Sequence, residues 1–160
     1  MISFKNFLNK LHEEAAKGPD EDFFKDAEDH VKYYAPSFTI AGEDGVTQTK
    51  EGPQKHAKGD FIAVGPENEQ YPIKPDTFKK KYKITSMPEG DKPGTSSIPD
   101  GPPILVKAKQ WTGPDTTITP AWGGNPLDLK TGDYAVRYGE GDYAPVGKDI
   151  FPKTYRKHQG

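Results

Sequence analysis

The chain has 160 residues and a mass of 17.7 kDa, enough for one ordinary domain or two very small ones. Its 22 basic and 24 acidic residues leave a net charge of −2, and apolar residues make up only 32%, so a modest core has to lean on eight Tyr and two Trp. The absence of Cys excludes a disulfide scaffold, a thiol enzyme and a cysteine-ligated metal site, and no apolar run approaches the roughly 18 residues of a membrane span.

Met1-Ile2-Ser3 leads into a charged amphipathic stretch without the apolar segment of a secretory signal, so the sequence predicts a soluble, cytoplasmic protein. Ser3 reads as an N-cap, and Phe4, Phe7, Leu8 and Leu11 recur at helical spacing. Gly18-Pro19 stops that helix. Asp20, Glu21 and Asp22 suit the start of a second one, with Phe24, Ala27, Val31 and Tyr34 on its apolar face.

The rest of the chain repeats itself. Residues 58–82 and 131–155 align without a gap at an offset of 73, and eight of the 25 pairs are identical. They are Gly59/Gly132, Asp60/Asp133, Glu67/Glu140, Pro72/Pro145, Asp76/Asp149, Phe78/Phe151, Lys80/Lys153 and Tyr82/Tyr155. The same offset runs back through Ala35/Ala108, Phe38/Trp111 and Thr39/Thr112. Each copy reads as a strand, a polar irregular loop of about twenty residues, a Gly-Asp turn opening a β-hairpin, and a helical turn capped by Asp76 or Asp149. That turn buries Phe78 or Phe151, and Tyr82 or Tyr155 begins a last strand. Residues 85–102, with four Pro and three Gly, read as a linker.

The predicted organisation is therefore an N-terminal helical segment (1–30), a first β-rich repeat (31–84), the linker (85–102) and a second β-rich repeat (103–160). The predicted class is α+β: two small antiparallel β-rich modules related by internal duplication, preceded by two N-terminal α-helices. Copy one carries Ile62 and Val64 on the face opposite Phe61 and Ala63, so the helices are expected to cover it. Copy two carries Ala135 and Arg137 there and is expected to stay open.

The string GDYAVRYGEGDYAPVGKDIFPKTY with PPILVKAKQWTG upstream, and YPIKPDTFKKKY in copy one, resembles the PGDYG-type domains of bacterial and phage proteins, over roughly residues 31–84 and 104–157. Lys58 and Thr131 stand where those domains usually carry Pro. The resemblance implies a small β-rich module of uncharacterised function and no particular reaction.

No catalytic constellation or cofactor motif emerges. His12, His30, His56 and His158 lack metal-ligand spacing, and the turn and cap positions of Asp60, Asp133, Asp76 and Asp149 explain those carboxylates structurally. Lys79-Lys80-Lys81 beside Tyr82 reads as a solvated helix face; with a pI near 6.1, nucleic acid is a poor partner. Copy two departs from copy one at Arg137 for Val64, Tyr138 for Gly65 and Tyr143 for Gln70, with Trp122 in the preceding loop. These residues either pack the interface between copies or contact a ligand or partner. The expected function is a non-enzymatic binding protein, a phage or bacterial accessory factor engaging a protein partner through the second repeat. The alternative is a small anionic or planar ligand, nucleotide-like, held in the cleft between repeats. An uncharacterised enzyme comes third.

Overall fold

A computed structural model describes residues 18–121 and 123–159. Strands dominate these residues, and the α+β class with two N-terminal helices is corrected to a mostly β fold of several small antiparallel sheets. The first expected helix lies outside the described residues. The second is reduced to a 3-10 turn, Phe23–Asp26, after which Ala27 is already extended (φ −71°, ψ 146°). Glu28–Lys32 then forms strand β1 instead of continuing the helix. The helical spacing of Phe24, Ala27, Val31 and Tyr34 is overruled because β1 gains hydrogen-bonded partners on both edges. Its cross-strand Asp29–Lys107 ion pair, 2.8 Å, reinforces the register.

Two runs of elements follow the same order. The first comprises β1, β2 (Ser37–Ile40), β3 (Gly45–Thr49), β4 (Gly52–His56), β5 (Phe61–Val64), β6 (Gln70–Ile73), helix α1 (Pro75–Lys81) and β7 (Lys83–Ser86). The second comprises β8 (Thr95–Ser97), β9 (Leu105–Gln110), β10 (Thr116–Ile118), β11 (Leu127–Leu129), β12 (Tyr134–Gly139), β13 (Asp142–Val146), the short helix α2 (Phe151–Thr154) and β14 (Tyr155–Lys157). The β5–β6 and β12–β13 ladders correspond pair for pair: Phe61 faces Ile73 and Tyr134 faces Val146.

The loop read as irregular holds a hairpin in each run, β3–β4 and β10–β11. Its polar sequence hid the strands, because they bury mainly Thr47 and Gln54 in one run and Ile118 and Leu129 in the other. The loop also differs in length by three residues. Ala41 and Trp111 make the same backbone bonds, to Asp60 and Gly59 and to Asp133 and Gly132 respectively, so Trp111 corresponds to Ala41. By the strand registers Phe38 corresponds to Ala108, not to Trp111.

The two sheets exchange a strand. The second sheet runs β13-β12-β9-β1-β14, so β1, which begins the first run, is inserted between strands of the second. In return β8, which begins the second run and lies in the stretch read as a linker, pairs with β7 and reaches β2 through a Phe38–Gly94 bridge. Two reciprocal backbone bonds hold that bridge, at 3.1 and 2.8 Å. The second sheet is thus not made from one contiguous half of the chain, whereas β2-β5-β6 comes wholly from the first run and borders the separate β7–β8 pair.

Three cores result. Phe38, Phe61, Ala63, Phe78 and Tyr82 fill the first sheet, and Val106, Ala108, Val136, Phe151 and Tyr155 fill the corresponding space of the second. A third core joins Phe24 and Ala27 to Trp111, Ile118, Leu129 and Ala135. The N-terminal segment therefore covers copy two, the face expected to be open, rather than copy one. Trp111, in edge contact at 5.3 Å with Phe23 of that segment, supplies the apolar surface that attracts it. Among the described residues no helix is long and apolar enough to cross a membrane.

Candidate functional site

The Gly-Asp motifs are structural. Gly59 (φ 91°) and Gly132 (φ 98°) occupy the left-handed region at the third position of a turn, which favours glycine. Asp60 Oδ2 accepts the Ala57 N–H at 2.8 Å and Asp133 Oδ2 accepts that of Lys130 at 3.3 Å. Asp44 and Asp115 brace the same two turns from 14 and 16 residues earlier in the chain, accepting the N–H groups of Lys58 and Thr131. Their spacing of 71 hid this pair from a search at 73. Asp76 and Asp149, read as helix caps, do not occupy N-cap positions: Lys74 and Ile150 do, and neither makes a side-chain cap bond. Phe78 and Phe151 are buried beneath the two helices, as are Tyr82 and Tyr155 beside them.

The proposed binding residues separate. Trp122 lies outside the described residues. Arg137 holds Glu21 through Nε and Nη2, at 2.8–3.1 Å, and the Tyr143 hydroxyl donates to the same carboxylate. The Arg137 and Tyr143 hydrogen bonds hold the Glu21 carboxyl down at about 2. Burial, with Glu21 beside it, pushes the Tyr143 phenol up to about 12. Tyr138 is turned away from this clasp, donating to or accepting from the Tyr155 hydroxyl at 2.9 Å.

Tyr138 borders a cavity of about 310 Å³ between the two sheets, and Tyr143 reaches the same cavity from the clasp. Corresponding positions of both halves line it: Pro72 and Ile73 from β6, Pro145 and Val146 from β13. The exchanged strands hold the halves together, and so do the hairpins, where the buried Gln54 side chain exchanges two hydrogen bonds with the Asn125 backbone. Lys153 and Lys50 both reach Glu67, at 2.6 and 2.8 Å, adding an ion-pair link between halves.

The cavity contains groups that no sequence feature marks as functional. Lys32, the last residue of β1, places its ammonium 5.0 Å from the ring centre of Tyr82 and 5.6 Å from that of Tyr155, two corresponding residues. Burial, with the Lys81 charge adding to it, pushes the Lys32 amine down to about 7, while Glu69 opposes the shift. Lys81 stacks over Tyr138 at 4.2 Å, so one member of the supposedly solvated lysine run turns inward. Burial pushes the Glu51 carboxyl up to about 7.

Two buried polar atoms, Glu69 Oε2 and the Tyr82 hydroxyl, have no hydrogen-bond partner among the described residues. Tyr155 has one because Tyr138 stands where the first half has Gly65. At Gly65 the Glu69 carboxylate fills the space a side chain would take. A Lys in a polar strand and a Glu in a turn carry no sequence signal; only the exchange of β1 brings Lys32 to the cavity.

No curated protein and no solved structure matches the chain. A family model, the PGDYG protein model, matches residues 52–156, a span that includes both Gly-Asp turns and both hairpins that flank the cavity. The chain belongs to the PGDYG protein family.

Proposed function

We propose that this chain is a non-enzymatic small-molecule binding protein whose ligand occupies the cavity between the two sheets. The observation that carries the reading is the cavity itself: it lies between corresponding strands of the two halves and is bordered by Lys32 and by Glu69, whose Oε2 has no hydrogen-bond partner among the described residues. Pockets of this volume and mixed lining hold small ligands. The matching registers and paired Gly-Asp turns support a tandem duplication of one PGDYG unit, with the ligand site on the axis between the copies. A protein partner at Arg137 and Tyr143 would first have to displace Glu21.

Filling the cavity tests the proposal. Native mass spectrometry of the protein exposed to a cell-metabolite extract should show a small-molecule adduct. An Ala144→Trp variant that melts like the unmodified chain should lack it. A folded, unmodified protein that retains nothing from the extract overturns the reading.

A further inference from the structure

The geometry points to an anion-binding end of this cavity: Lys32 and Lys81 receive the carboxylate or phosphate head of a ligand whose flat apolar body rests between β6 and β13. The inference rests on the cavity reading above and names the chemistry of its occupant.

Both lysines border the main cavity, and both also border a smaller one of about 80 Å³ on its far side, so they stand in the wall between the two. Tyr138 and Tyr155 complete that wall, joined through their hydroxyls. Neither lysine has a carboxylate within ion-pair distance among the described residues. Ring faces contact them instead: Tyr82 and Tyr155 for Lys32, Tyr138 for Lys81. An aromatic face offsets part of the loss of water around a cation but accepts none of its strong hydrogen bonds.

The nearby acids do not fill this need. Asp60 is committed to Lys74, with both of its oxygens 3.0 Å from that ammonium. Glu69 Oε1 accepts the Glu67 N–H, and its Oε2 makes no bond among the described residues. Glu51 belongs to the β3–β4 turn and pairs with neither lysine. Asp142, at the start of β13, also borders the cavity without an ion pair to either lysine, so among the described residues no acid contacts this end, and an anionic head supplies the missing charge. The remaining walls, Pro72, Ile73, Pro145, Val146 and Leu127, suit an apolar body.

Calorimetric titration of the full chain with benzoate, phenyl phosphate and benzyl alcohol tests this. One or both acids should bind and the neutral alcohol should bind at least about tenfold more weakly. Preference for benzoate assigns a carboxylate head, and preference for phenyl phosphate a phosphate head. Lys32→Gln and Lys81→Gln should each weaken the preferred acid about tenfold or more, while Lys79→Gln on the exposed side of α1 changes nothing. Lys32→Met, with its melting curve recorded alongside, guards against a folding defect of the Gln variant. Equal binding of the alcohol, or acid binding unchanged in both lysine variants, overturns the anion assignment and leaves the cavity reading standing. No binding of any of the three by the folded chain overturns both.

Discussion

The two sheets share a plan but not its execution. In the second, β1 is laddered to β9 over four residue pairs and to β14 over three. In the first, β8 meets β7 along a bulged ladder and reaches β2 through the single Phe38–Gly94 bridge. The first sheet compensates in its core, where Phe38, Phe61, Phe78 and Tyr82 form a continuous aromatic cluster with ring centres 4.6–5.2 Å apart. The second core has Ala108 in place of Phe38 and gains a further core from the N-terminal segment. Backbone pairing and side-chain packing thus substitute for each other at corresponding places, which lets one element order support two unequal halves.

That contrast can be broken at several points. The largest effect belongs to Phe78→Ala, where a fully buried ring at the centre of the cluster is lost, at a cost of about 3–5 kcal/mol. Phe151→Ala should fall at the lower end of the same range, because its ring is slightly exposed and stacks chiefly on Tyr134 and Tyr155. Denaturant titration of the two variants decides it; equal losses would mean that the two cores are energetically alike.

Lys32 comes next. Its amine titrates near 7 in the folded chain and near its ordinary value of 10.5 in the unfolded one, so the unfolded chain binds the extra proton between those values. Stability should therefore rise from pH 7 to pH 10.5 through this group. Lys32→Met should remove that rise and raise stability at pH 7 by on the order of a few kcal/mol. Chemical denaturation across that range measures both effects, and an unchanged slope in the variant would contradict the burial of this amine.

A smaller difference separates the corresponding tyrosines. Tyr155→Phe should cost about 1 kcal/mol because it breaks the bond to Tyr138, whereas Tyr82→Phe should cost less, because among the described residues its hydroxyl has only the weaker contact with the Tyr71 hydroxyl. Melting curves that rank the pair the other way would remove this distinction between the halves.

The smallest effect lies at the clasp that joins the N-terminal segment to the second sheet. The Glu21 carboxyl is depressed from 4.5 to about 2, so its contribution is complete above pH 4.5 and is lost as pH falls toward 2. Glu21→Gln should flatten that part of the acid-unfolding curve with little change at pH 7, since an exposed ion pair contributes weakly.

How far the sequence could be read follows the same physics. Local chemistry was legible: the Gly-Asp turns, the hairpins they open, and the phenylalanines and tyrosines under the helices all depend on residues close in the chain. Phe24 and Ala27 were recognisable as core residues, but their helical spacing concealed a strand start at Glu28, because pairing with β9 and β14 decides that conformation and both lie far along the chain. Trp111 was matched to the wrong partner because a three-residue length difference in a polar loop breaks the constant offset. The lysines of the cavity were invisible for a related reason. Lys32 reaches the boundary between halves only through the exchange, and Lys81 differs from Lys79 and Lys80 solely in which side of a two-turn helix it occupies.

The exchange of β1 and β8 is the claim on which the cavity and its occupant depend, and a cysteine-free chain makes it directly measurable. His30 and Lys157 face each other, and the backbone bonds flanking them, Tyr33 N–H to Thr154 and His158 N–H to Asp29, make theirs a non-hydrogen-bonded pair with closely spaced side chains. Without exchange, β1 would take the place of β8, and His30 would instead face Ile84, the residue that now pairs with Ser96. Under mild oxidation, read by mass spectrometry, H30C/K157C should close to a disulfide while H30C/I84C remains reduced. A disulfide in H30C/I84C with free thiols in H30C/K157C would contradict the exchange.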